Sequence, residues 1–325
     1  MKKIFVLICI IALVCSMFGC NENTSGTEAT NSPSSASTPD TEPDATTPPL
    51  DIESSIKIEM NGSTITAGDG VTVNGNIATI TAGGIYEVSG TLNDGQLLVE
   101  TDQKVFLIFN NVTIHCSNSA PVFVKQAEHV YLTLAEGSVN TLTDGSTYSL
   151  DAGVTEPDAT LFSKADMTIS GKGALTIDAK FNDGIANRDT LVIESGIINV
   201  AAVNHGIKGK DFLSVLGGTI TVNAGLDGIK STNDTDTSLG YVVIEGGTIN
   251  INAQDEAISA VTNVNIKGGT TKIVTANNGI KAGNKVDISA GTVDIQTDDK
   301  GLICSEQKIG TDAYVTVNNQ KLNAN

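Results

Sequence analysis

The sequence predicts an all-β protein, a right-handed parallel β-helix with about 22 residues per coil. Two glycine marks that keep one beat, and four aliphatic columns in register with them, carry that prediction. The first mark is a small residue before Ile or Leu: Gly184-Ile185, Gly206-Ile207, Gly228-Ile229, Ala257-Ile258, Gly279-Ile280 and Gly301-Leu302, at intervals of 22, 22, 29, 22 and 22. The long interval holds a polar insertion, Asn233-Asp234-Thr235-Asp236-Thr237-Ser238. The second mark is Ser195-Gly196, Gly217-Gly218, Gly246-Gly247, Gly268-Gly269 and Ala290-Gly291, at 22, 29, 22 and 22.

Reading down the repeat gives the core. One column is Leu161, Ile185, Ile207, Ile229, Ile258, Ile280 and Leu302; a second is Met167, Leu191, Leu213, Val242, Val264 and Val286. A third is Ile169, Ile193, Val215, Ile244, Ile266 and Ile288; a fourth is Ile177, Val200, Val222, Ile251, Ile273 and Ile295. Like residues stacked on like at one fixed period describe coils spaced by the inter-strand distance of about 4.8 Å. Left-handed β-helices use hexapeptide-based coils, so the longer repeat points to the right-handed form. Looser coils precede these at Ile85-Tyr86-Glu87-Val88, Val105-Phe106-Leu107-Ile108 and Val130-Tyr131-Leu132-Thr133-Leu134. The stretch 307–325 lacks the Gly-Gly mark and is expected to cap the end of the stack.

Three segments follow along the chain. Residues 1–19 read as a lipoprotein signal peptide, with Lys2 and Lys3, an apolar run from Ile4 to Val14, and Gly19 before Cys20. Cys20 is the expected lipidation site, which would place the protein outside the cell, tethered to the membrane only through its N-terminal lipid. An uncleaved anchor is the alternative reading. Residues 20–54 read as a disordered, acidic linker, since positions 21–50 contain 17 Ser, Thr or Pro, five acids and no base. Residues 55–325 are the expected β-helix domain.

Composition narrows the function. The formal charge is −18, with 37 acidic residues against 19 basic ones, and Arg188 is the single arginine. Such a surface repels phosphate backbones, so no nucleic-acid partner is expected, and it favours cations. Cys116 and Cys304 are too far apart in sequence to suggest a disulfide framework, and His115, His129 and His205 lack metal-ligand spacing. There is no Trp, and the five tyrosines share no column, so an aromatic strip for neutral sugars is not expected. Nucleophile-elbow, P-loop and His-Glu-x-x-His motifs are missing too.

Two polar columns precede the first aliphatic column: Asp158, Asn182, Asn204, Leu226, Asp255, Asn277, Asp299, and Ala159, Asp183, His205, Asp227, Glu256, Asn278, Lys300. Stacked carboxylates repel unless protonated or bridged by a cation. Oxygen ligands alone point to a hard ion, which outside the cell is Ca²⁺. The expected ligands are Asp158, Asn182 and Asp183 with Asp189, Asp211 and Asp227 on neighbouring coils. An asparagine ladder beside a solvated acidic face is the alternative. Lys208, Lys230 and Lys281 follow the aliphatic column and are the candidates for holding a sugar carboxylate; they also read as outward residues balancing an acidic face.

Several stretches resemble a known group. They are Gly84-Ile85-Tyr86-Glu87-Val88-Ser89-Gly90-Thr91-Leu92, Leu134-Ala135-Glu136-Gly137-Ser138-Val139-Asn140-Thr141-Leu142, Asn182-Asp183-Gly184-Ile185, Gly206-Ile207-Lys208-Gly209-Lys210-Asp211 and Gly240-Tyr241-Val242-Val243-Ile244-Glu245-Gly246-Gly247. Residues 77–300 resemble the clostridial carbohydrate-binding β-helix family of secreted proteins. The resemblance implies a calcium-carrying right-handed β-helix that binds acidic plant cell-wall polysaccharide such as polygalacturonate, similar to pectate lyases but binding rather than cleaving. His205, Leu226 and Asn278 depart from the family's acidic or polar pattern, which implies fewer calcium ions or weaker binding.

The leading expectation is therefore a monomeric, non-catalytic, surface-tethered binder of acidic polysaccharide assisted by calcium. A pectate lyase or polygalacturonase is the second. Asn182-Asp183-Gly184 and Asn204-His205-Gly206 faintly resemble polygalacturonase motifs, but the paired catalytic aspartates and the Arg-x-Lys element are absent. A rigid spacer or adhesin is the third.

Overall fold

The structure is a computed structural model that describes residues 52–325. The signal segment, Cys20 and nearly all of the linker lie outside the described residues. A single 3-10 turn, Ile52–Ser54, leads into the first strand, Ile56–Gly62. From there the chain winds as a parallel β stack with three strand-bearing faces, and it carries no regular α-helix among the described residues.

Face 1 is built from short strands, including Val122–Gln126, Ala159–Ser163, Asp183–Asn187, Ile207–Gly209, Ile229–Ser231, Ile258–Ala260 and Ile280–Ala282. Face 2 includes His129–Leu134, Met167–Gly171, Thr190–Ile193, Phe212–Val215, Tyr241–Ile244 and Asn263–Ile266. Face 3 includes Val139–Asp144, Ala174–Ala179, Ile197–Ala202, Thr219–Ala224, Thr248–Ala253 and Thr270–Thr275. Toward both ends, long strands such as Lys104–Cys116 and Lys285–Thr297 bend from face 2 into face 3, which joins those faces into one 19-stranded sheet. Face 1 forms a separate 11-stranded sheet.

The pairing follows the columns. On face 1, Leu161 pairs with Ile185, Ile185 with Ile207, Ile207 with Ile229, Ile229 with Ile258, and Ile258 with Ile280. On face 2, Leu191 pairs with Leu213, Leu213 with Val242 and Val242 with Val264. On face 3, Val200 pairs with Val222, Val222 with Ile251 and Ile251 with Ile273. These side chains point inward and are buried in one continuous core. Each buried aliphatic side chain contributes on the order of 1.5–3 kcal/mol, and stacking identical shapes leaves few voids.

The two glycine marks have different causes. In the Gly-Gly mark the second residue carries the constraint: Gly218 has φ +91°, and a Cβ there would stand 2.8 Å from the Gly196 carbonyl of the preceding coil. In the Gly-Ile mark the constraint is space. A Cβ on Gly206 would meet Val222 Cγ1 of face 3 at 2.2 Å.

Antiparallel hairpins terminate both ends. Ile56–Gly62 pairs antiparallel with Thr64–Ala67, and Glu306–Val317 pairs antiparallel with Gln320–Leu322 across Asn318 and Asn319, both at positive φ. The C-terminal stretch thus continues the stack for one parallel strand before turning back on itself.

Candidate functional site

Face 1 carries the polar chemistry because its strands are short and its inward positions are already filled by Ile and Leu. The outward column on this face reads Leu98, Phe123, Phe162, Ala186, Lys208, Lys230, Ser259, Lys281 and Ile303, each paired with the next. Its apolar half is covered. Phe162 and Ala186 pack with Ala120 and Ala159, while Phe123 and Tyr148 close over them. The chain at 145–158 is strapped down there: the Tyr148 hydroxyl donates to Asp144 Oδ2 at 2.6 Å, and the Tyr148 ring stacks on Phe181.

The cationic half meets a column of carboxylates. Lys208 Nζ bonds Asp183 Oδ2 and lies 3.5 Å from Asp158 Oδ2. Asp183 is fully buried, and its Oδ1 accepts from Asn204 Nδ2 at 3.0 Å and from the His205 N–H at 3.1 Å. Arg188 completes this group, with Nη2 2.7 Å from Asp158 and Nε 2.5 Å from Glu156. One coil on, Lys230 Nζ stands 2.6 Å from Asp227 Oδ2, while Asp227 Oδ1 accepts the Glu256 N–H at 3.2 Å. His205 Nδ1 accepts the Asp227 N–H at 3.2 Å, and burial pushes this imidazole below its usual range. Farther along, Lys281 Nζ stands 2.8 Å from Glu256 Oε1, and that hydrogen bond holds the ammonium above the usual lysine range.

The six expected metal ligands fall into three groups. Asp158 and Asp183 sit with Lys208 and Arg188, and Asn182 donates its side-chain amide to the Asp158 carbonyl. The carboxylates of Asp158 and Asp183 are paired here with two internal cations, Lys208 and Arg188. Asp189 and Asp211 lie past the other end of the face 1 strands, beside Asp166. Burial, with repulsion from Asp166 and Asp211, raises Asp189 to about 6. Asp227 belongs to the third group, with Asp255 and Glu256, whose ligand oxygens lie within 4.8 Å of one another. Oxygen donors this close suit a hard divalent cation. Asn278 strengthens the fit: it is only 5% exposed, its amide nitrogen rests on Glu256 Oε1, and its Oδ1 has no hydrogen-bond partner.

Asp255 and Glu256 stand in the two polar columns but outside the expected ligand set, which comes from the coils at 158–227. Asp166 and Arg188 were missed outright; each lies outside the repeated columns.

Lys230 and Lys281 also line a shallow groove of about 690 Å³ on the outside of face 1. Ser259 and Ile303 continue its floor, and Asp234 of the polar insertion and Ser305 stand at its sides. Lys208 is not among its lining residues. The groove runs along the stack, so its floor presents one side chain per coil about every 4.8 Å. Aromatic pairs occur elsewhere: Phe212 and Tyr241 stack on the outside of face 2 with centroids 5.0 Å apart and planes 3° from parallel, hiding their ring faces from a sugar.

The geometry is thus that of a parallel β stack with a groove along one face, beside carboxylates and lysines. Residues 74–324 match the carbohydrate-binding domain-containing protein family, and the chain belongs to it. A curated relative from Acetivibrio thermocellus, also described as a carbohydrate-binding domain-containing protein, is 41% identical over 64 residues. That match spans 19% of this chain and 22% of the relative's length. A solved structure described as the polysaccharide lyase-like protein from C. thermocellum, as a gadolinium derivative, superposes with a TM-score of 0.69 at 35% identity. The superposition covers 80% of this chain and 98% of the other.

Proposed function

We propose that this protein is a non-catalytic binder of acidic polysaccharide, of the polygalacturonate type, and that calcium assists it. It would act as a monomeric lipoprotein held through Cys20 on the outer face of the membrane, with a right-handed stack of 22-residue coils presenting the groove. The observation that carries this reading is the groove itself, whose floor places Lys230 and Lys281 beside the Asp227–Asp255–Glu256 group. Sugar carboxylates would meet the lysines, and the acidic group would hold the cation. Asp227, Asp255 and Glu256 are the residues to hold calcium, with Asn278 as a further oxygen donor.

Lyase chemistry is the second reading, favoured by the description of the C. thermocellum neighbour. β-Elimination needs a neutral base near the sugar. Before a cation binds, the hydrogen bond to Glu256 holds Lys281 above the usual lysine range and Lys230 is engaged by Asp227, an arrangement that disfavours either as that base.

Thermal unfolding with and without CaCl₂, followed by retention on immobilised polygalacturonate, tests the proposal. A cation that binds the folded state must raise Tm by mass action. The expected result is a calcium-dependent Tm rise and calcium-dependent retention, both lost in Glu256→Gln. Unchanged Tm and no retention would overturn it and leave a rigid spacer.

A further inference from the structure

We propose that Lys230 and Lys281 are exchangeable counter-ions. They neutralise Asp227 and Glu256 until a divalent cation takes those carboxylates, and then turn into the groove to receive sugar carboxylates. This rests on the reading above and adds how its two ligands are coupled.

Both lysines touch both places. Lys230 binds Asp227 Oδ2 and Lys281 binds Glu256 Oε1, yet each also lines the groove. The charges match as well. Asp227, Asp255 and Glu256 carry three negative charges, and the two ammonium groups return two positive ones, as a single divalent cation would. Replacing two lysines by one such ion leaves the local charge unchanged and frees two ammonium groups. Asn278, buried against Glu256 through its Nδ2 at 3.2 Å, has an Oδ1 without a hydrogen-bond partner, so the lysine-paired arrangement leaves a buried polar atom beside the group unsatisfied.

Freedom to move separates these lysines from the third. The Lys281 side chain is 49% exposed and that of Lys230 28%, so their flexible stems can swing through water. Lys208 is 10% exposed, is pinned between Asp158 and Asp183, and lies next to the column's covered half. It is a fixed structural counter-ion. Two further groups face the same carboxylates: His205 Nδ1 lies 3.6 Å from Asp227 Oδ2, and Asn277 Nδ2 2.6 Å from Asp255 Oδ1.

Exchange makes two demands. Removing the lysines must tighten cation binding, because a competitor is gone. Cation binding must strengthen polygalacturonate binding, and by linkage the reverse must hold. Direct bridging of a sugar carboxylate by the cation would give the second effect without the lysines.

The experiment is isothermal titration of the protein and of Lys230→Met/Lys281→Met with CaCl₂, then with polygalacturonate in CaCl₂ or in chelator. Lys281→Met alone is included, since its exposed side chain can be removed without touching the core. For the unaltered protein, calcium is expected to raise polygalacturonate affinity about tenfold or more. The double variant should bind calcium more tightly and lose that enhancement, and Lys281→Met should fall between the two. Enhancement that survives in the double variant would overturn the exchange in favour of direct bridging. Equal affinity with and without calcium in the unaltered protein would overturn it too. Polygalacturonate binding absent throughout would sink the carbohydrate reading alone; the calcium titration then decides the exchange, and unchanged calcium affinity in the double variant overturns it.

Discussion

Lys208 reaches back to the preceding coil and bonds Asp183, a carboxylate with no exposure to solvent. The pair joins two coils by a charge interaction that water cannot replace. Removing one partner leaves the other charge buried, which costs about 3–5 kcal/mol. Lys208→Met is expected to lower stability by about that much in denaturant unfolding, and Lys208→Met/Asp183→Leu to recover a large part of it. A loss below about 1 kcal/mol for the single variant would mean that the pair behaves as a surface bridge.

Asp189 gives the protein a pH dependence. Burial, with repulsion from Asp166 and Asp211, raises its carboxyl from 3.8 to about 6. A carboxyl that holds its proton more tightly when folded contributes stability in full below about pH 4, and that contribution is lost as the pH rises to about 6. Asp189→Asn should therefore raise Tm above pH 6 and flatten the slope of Tm between pH 4 and 6. An unchanged slope would show that Asp189 is not raised.

Gly206 tests the reading of the Gly-Ile mark as a close approach between faces. A methyl group there would overlap Val222 on face 3. Gly206→Ala should cost about 1–3 kcal/mol, the usual range for overpacking a core. Adding Val222→Ala to make room should return part of the loss.

The protonated state of Lys281 bears on catalysis. Incubation with polygalacturonate and calcium at pH 8 should release no unsaturated uronate ends, read as absorbance near the ultraviolet edge. A steady rise abolished by Lys230→Met would establish elimination and reverse the binding assignment.

The stacking was legible in the sequence because its physics is repetitive. Ile207 must pair with Ile185 and Ile229 if each coil is to bury the same shape, so the spacing of 22 dictates the register. The groove and the cation group were harder to read. Asp255 and Glu256 share columns with Leu226 and Asp227, but carboxylates recur so often in those columns that spacing alone does not say which of them converge. The role of Arg188 was hard to read because it stands outside the repeated columns itself, and one of its two partners, Glu156, lies in the strap. Charge pairing also depends on which neighbour is nearest. Glu256 reaches forward to Lys281 because its own coil offers Ser259, whereas Asp227 finds Lys230 three residues on.

The hairpins at the two ends have an evolutionary consequence. Each coil touches only the coils above and below it, so a duplicated coil can be spliced into the middle without disturbing either terminus. Every such duplication would lengthen the groove by one step of about 4.8 Å. Reach along a polymer can then be tuned by counting, with the hairpins at the two ends left as they are.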